Sequence, residues 1–119
     1  MRTQIIQIIT EGTSAKLTAN IQDESGVSIS SANLTTLTLT VYANNNTSSI
    51  VNSRNNQNIL NANNVTVDTS GNLVWQMTPV DNTIIGNVSS EIHTALFTWT
   101  YSSGTKTGKQ AIDITVQAI

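Results

Sequence analysis

The sequence predicts an all-β protein, an antiparallel immunoglobulin-like β-sandwich of seven to eight short strands. Three observations predict it. Apolar residues recur at every second position in several short runs, the period of a half-buried strand. Clusters of Asn, Ser, Asp and Gly punctuate those runs at the spacing of turns. No stretch of useful length carries the 3.6-residue period of an amphipathic helix. The run from Glu91 to Gly104 organises the rest: Phe97, Trp99 and Tyr101 sit two residues apart and share one face of one strand. They are three of the five aromatic residues (Trp 2, Tyr 2, Phe 1) in the chain. Each buries roughly 150–250 Å², so the core is expected to form over this strand, with Ala95, Phe97 and Trp99 inward and His93 and Tyr101 toward its two rims.

Taken in order, Gln4 to Thr10 is β-prone, with its isoleucines paired rather than strictly alternating, and Glu11-Gly12 marks a turn. Ser14 to Asp23 alternates cleanly, Leu17, Ala19 and Ile21 against Lys16, Thr18 and Gln22. Asp23-Glu24-Ser25-Gly26 is a hairpin-type turn, and Val27 and Ile29 restart a short strand. Leu34 to Tyr42 places Leu37, Leu39 and Val41 inward and Thr36, Thr38 and Thr40 outward. The pattern then fails. Ala43 to Asn64 is an Asn-rich insertion, interrupted by Ile50-Val51 and Ile59-Leu60, with a short edge strand at Ile50-Val51 as the one element that breaks it up. A loop that long is uncommon in a compact domain and is usually functional or disordered. Val65 to Val67 and Leu73 to Met77 are strands around the turn Asp68 to Asn72. Pro79 stops the second of them, because it has no donor for the ladder, and a helical turn or tight loop runs on toward Gly86. After Tyr101, Ser102 to Thr105 turns the chain into a last strand over Ala111 to Val116. An up-and-down barrel is the structural alternative to the sandwich.

Composition narrows the function. At 119 residues and 12.7 kDa the chain fits one domain, 1–119, with 1–10 an N-terminal arm or strand and 43–64 an insertion. Charged residues are 10%, the net charge is −2 and the pI about 5.0, which gives no electrostatic footprint for nucleic acid or an anionic membrane. Asn, Ser and Thr, about two-fifths of the residues, keep the surface polar instead. There is no cysteine, so no disulfide framework and no thiolate metal site. The N-terminal run is too short and too polar for a secretory h-region, so a mature N-terminus made in a cytoplasm is expected.

No catalytic constellation emerges. His93 is the single histidine, and nothing in the spacing of serines or acids points at it as a base; a rim or interface residue is expected. Asp23, Glu24 and Asp68 sit in turns, where a carboxylate bonds nearby backbone amides. No loop repeats acids at alternate positions as a calcium site needs, and no carboxylate pair suggests a glycosidase. Gly104 to Lys109 resembles a phosphate loop only at first sight: its glycines are one residue too close, and Gln110 stands where Ser or Thr should hold magnesium. A hairpin with a solvated basic tip accounts for it. The expectation is no enzyme, no cofactor, no metal and no small-molecule substrate.

The order of several segments carries a resemblance. Ile9-Thr10-Glu11-Gly12-Thr13, the strand Leu17 to Gly26 with its Asp-x-x-Gly end, and Leu37-Thr38-Leu39-Thr40-Val41 come first. Ser70 to Pro79, Asp81 to Gly86 and Ala95 to Gly104 follow. The set resembles small tailed-phage virion proteins: the immunoglobulin-like domain of baseplate upper proteins and related head and tail accessory proteins. It covers most of the chain outside the Asn-rich insertion, and Asn87 to Ser90 is a departure from its pattern. The resemblance implies a non-enzymatic virion structural protein, made in the host cytoplasm and assembled on the particle. In the first place that is a capsid decoration (cement) protein binding the major capsid protein, with other virion proteins and copies of itself as further expected partners. A head–tail connector, tail or baseplate component is the alternative position. A secreted or surface module binding glycan or protein is the alternative class, which the lack of an export signal disfavours. The expected contact elements are the arm, through Ile5, Ile6, Ile8 and Ile9, and the insertion, through Ile50, Val51, Ile59 and Leu60. Exposed edges of this kind can add to a neighbour's sheet.

Overall fold

Nine strands in two sheets make up the described part of the chain. A computed structural model describes residues 8–119 in full and residues 2–7 as the backbone of the first strand. The strands are β1 (Arg2–Thr10), β2 (Ala15–Asn20), β3 (Leu34–Ala43), β4 (Asn46–Ile50), β5 (Gln57–Asn58), β6 (Val65–Val67), β7 (Asn72–Met77), β8 (Ser90–Tyr101) and β9 (Lys106–Gln117). One sheet runs β1-β9-β8-β3-β4, with β5 also on β3, and the other runs β2-β7-β6. The two sheets pack face to face as an all-β sandwich. Two short 3₁₀ turns, Ser31–Asn33 and Pro79–Asn82, complete the elements.

The all-β sandwich is as expected, with one correction: the larger sheet is mixed. β1 runs parallel to β9, with Arg2 opposite Ala111 and Thr10 opposite Gln117, and a register shift between Gln4 and Ile8. Paired isoleucines there, rather than alternation, are the sequence trace of that irregularity. The last strand is longer than predicted, because Lys106 pairs with Tyr101 and Gly108 with Trp99. The basic segment is therefore strand, and the hairpin tip is only Ser102 to Thr105. Conversely, Val27 and Ile29 make no strand; a single bridge joins Gln22 to Ser28.

The core lies where the aromatic strand places it. Leu37, Leu39, Val41, Ala95, Phe97, Trp99, Ile112, Ile114 and Val116 face Leu17, Leu73, Trp75 and Met77 from the other sheet, all buried. Trp75 sits edge-on to Phe97, with centroids 6.2 Å apart. Tyr101, expected toward the rim, is also buried, and its hydroxyl donates to Glu24 at 3.1 Å.

The Asn-rich insertion is not a structureless loop. Asn44 and Asn45, both at φ 55°, form the two-residue turn that joins Ala43 to its partner Asn46, the geometry of a type I′ hairpin, which needs positive φ at both positions. Asn52, Asn56, Asn61, Asn63 and Asn64 are also left-handed. Asparagine enters that region more readily than other non-glycine residues. The residues therefore supply the turns that thread β4, β5 and β6 together. Val51 and Ile59 anchor the segment by filling the core.

Candidate functional site

Among the described residues, Arg54, Asp81, Glu91 and His93 are buried, and they hold the protein's own loops. Arg54 donates from Nε to Asp81 Oδ1 at 2.6 Å and from an Nη to Oδ2 at 3.2 Å. Its other Nη reaches Gln57 Oε1 and the Asn63 carbonyl, and the guanidinium lies 5.3 Å from the Trp75 ring centroid. Asp81 also accepts from Asn52 Nδ2 and from the Thr78 amide. One carboxylate thus ties the insertion to the turn after Pro79. Burial works to raise its pKa, but hydrogen bonds from Arg54, Asn52 and Thr78, with the Arg54 charge, hold it below the ordinary value.

Glu91 does the same at the other loop. It accepts from the Ile85 and Gly86 amides at 2.9 and 2.8 Å, from Asn44 Nδ2 at 3.3 Å, and pairs with His93 Nε2 at 2.7 Å. Burial again opposes ionisation, and these hydrogen bonds outweigh it, so its pKa is also lowered. His93 is therefore not on the rim: it is 1% exposed and engaged with a carboxylate two residues away on the same inward face. Both groups lie beneath the loop they anchor. Arg54 and Glu91 were not singled out from sequence. The signal for Glu91 was its even spacing with His93 along the central strand. For Arg54 it was a lone cation inside an uncharged insertion.

One open cleft, of about 650 Å³, lies between the sheets. One wall is β2, the outermost strand of its sheet, and the other is the beginning of β9. β1 covers the outer edge of β9 only from Ala111 onward. From Lys106 to Lys109 no strand lies along that edge among the described residues. Leu17, Ala19, Trp99 and Ile112 contribute apolar lining, and Asp23 and Glu24 close one end. Glu24 binds Lys106 at 3.1 Å. The Trp99 indole packs under Gly108 so closely that a Cβ there would overlap the ring, and its Nε1 meets no acceptor among the described residues.

The predicted contact residues divide. Val51 and Ile59 are 1% and 0% exposed and Ile9 is 7% exposed, so the chain's own core takes them up and they do not face outward. Apolar side chains in a polar segment mark anchors as readily as contacts, which is why sequence alone misplaced them. Leu60 packs partly buried against the core and Ile50 is partly exposed. The side chains of Ile5 and Ile6 lie outside the described residues. Ile8 is 56% exposed and Ile92 45%. Both are in register with Thr115, which puts Ile8, Thr115 and Ile92 in one row on the outer face of the larger sheet.

Comparison of the chain with protein-family models, with curated proteins and with solved structures finds no match to any of them.

Proposed function

We propose that this protein is a non-enzymatic virion structural protein of a tailed phage, a capsid decoration (cement) protein that binds the capsid exterior. The observation that carries an assembly role is the split between these buried polar groups and the open strand edges. Arg54, Asp81, Glu91 and His93 are all engaged in holding loops, while β2 and the beginning of β9 leave backbone edges flanking a cleft. Unpaired strand edges are templates for adding another chain. The segment order that resembles small tailed-phage virion proteins supplies the setting, with the major capsid protein as partner. Exposed Ile8 and Ile92, in one row with half-buried Thr115, offer a second contact surface.

Co-sedimentation with purified particles tests this reading. A decoration protein is recovered in roughly hundreds of copies per particle, whereas a connector, tail or baseplate component is recovered in about six or twelve under its symmetry. Recovery only from particle-free lysate overturns the proposal.

A further inference from the structure

We propose that the cleft between β2 and β9 accepts an extended strand from a different protein, one that carries a carboxylate to meet Lys109. This rests on the assembly reading above and specifies which surface does the assembling and with what.

Three observations argue for a strand. The β9 edge already holds β1 along Ala111 to Gln117 in a parallel ladder, so an incoming strand along Lys106 to Lys109 continues a line of pairing that the sheet supports. The opposite wall, β2, is also an edge, paired among the described residues only with β7. Backbone groups therefore border the cleft on both sides, and an extended main chain is the ligand that matches them. Between the walls the lining is apolar at Leu17, Trp99 and Ile112, which suits the inward side chains of a strand that alternates apolar and polar residues.

Charge selects the partner. Lys106 is engaged by Glu24, whereas Lys109 is exposed and has no ion-pair or hydrogen-bond partner among the described residues. Antiparallel pairing of this edge with its counterpart in a second copy sets Lys109 opposite Lys106, whose carboxylate partner Glu24 is already taken, and lysines on an edge are a device by which strands avoid self-association. The β2 edge of a second copy carries Lys16 and no acid. An incoming strand with a Glu or Asp opposite Lys109 removes the conflict.

The test uses the isolated protein, so it is independent of any particle. The probe is a blocked synthetic heptapeptide alternating valine and threonine with one central glutamate, followed by amide NMR and hydrogen exchange. Expected are shifts confined to Lys106–Lys109 and Ala15–Asn20, with exchange slowed by about tenfold or more as edge amides gain partners. A peptide with lysine replacing the glutamate binds about threefold to fivefold more weakly, the size of an exposed ion pair. Lys109→Glu, at an exposed position, reverses that preference. No shifts at millimolar peptide, shifts elsewhere, or an unchanged preference in Lys109→Glu each overturn the proposal. Absence from particles overturns the virion reading and leaves this result standing.

Discussion

Gly108 shows how one residue shapes both the core and the cleft. It pairs across the hairpin with Trp99, whose ring occupies the space a β-carbon needs. The backbone at Gly108 has no left-handed torsion to protect, so the constraint is purely steric. Gly108→Ala must push the indole off its packing position, and overpacking of this kind costs about 1–3 kcal/mol. Urea denaturation followed by tryptophan fluorescence checks it, with an altered native emission as well as a lower midpoint. If the change is neutral, the ring is not held as described. Gly71 is constrained differently, by φ +78° and by the Ile29 and Ile21 carbonyls around it. That glycine closes the Asp68 turn, where the carboxylate accepts from the Ser70 and Asn72 amides. Asp23 repeats the arrangement with Ser25 and Val27, so the reading of these acids as turn residues holds.

At the scale of elements, the hairpin between β3 and β4 tests the role of the asparagines. Asn45 is left-handed, and a β-branched residue there suffers the contact of its Cβ with the backbone, about 1–2 kcal/mol. Asn45→Val is expected to lower stability by that amount and Asn45→Gly to leave it unchanged or raise it, both measured by denaturant titration. Equal stability of the two variants contradicts the turn. The same comparison separates the conformational role from a contact role, since glycine retains the turn and removes the side chain.

Across the whole molecule, Asp81 and Glu91 join loops to the sandwich and link its stability to pH. Both have folded-state pKa values below the ordinary carboxyl range. At acid pH the unfolded chain therefore binds more protons than the folded one, and stability falls as pH falls. The contribution is fully present above the unfolded carboxyl values, about 3.9 and 4.3, and is lost as pH drops through the lower folded ones. Thermal unfolding between pH 7 and pH 2 should show a flat upper region and a steep acid limb. Glu91→Gln should be less stable at pH 7 and should shallow that limb, because the amide does not titrate. A limb of unchanged slope in Glu91→Gln removes Glu91 from this role.

The alternation of Leu37, Leu39 and Val41, the aromatic stripe from Phe97 to Tyr101 and the stop at Pro79 were legible in the residues alone. Each is a local property: strand period, side-chain area or a missing donor decides it without reference to a distant partner. The open cleft, the parallel seating of β1, the burial of Val51 and Ile59, and the pairing of Arg54 with Asp81 were not. Each depends on which strands become neighbours. Arg54 and Asp81 are 27 positions apart and meet only because β3, the insertion and the turn after β7 fold onto one end of the sandwich. An isoleucine in a polar segment has the same sequence signature whether it anchors the segment or contacts a partner. Only the packing of the two sheets separates those outcomes, since it decides where apolar area leaves water.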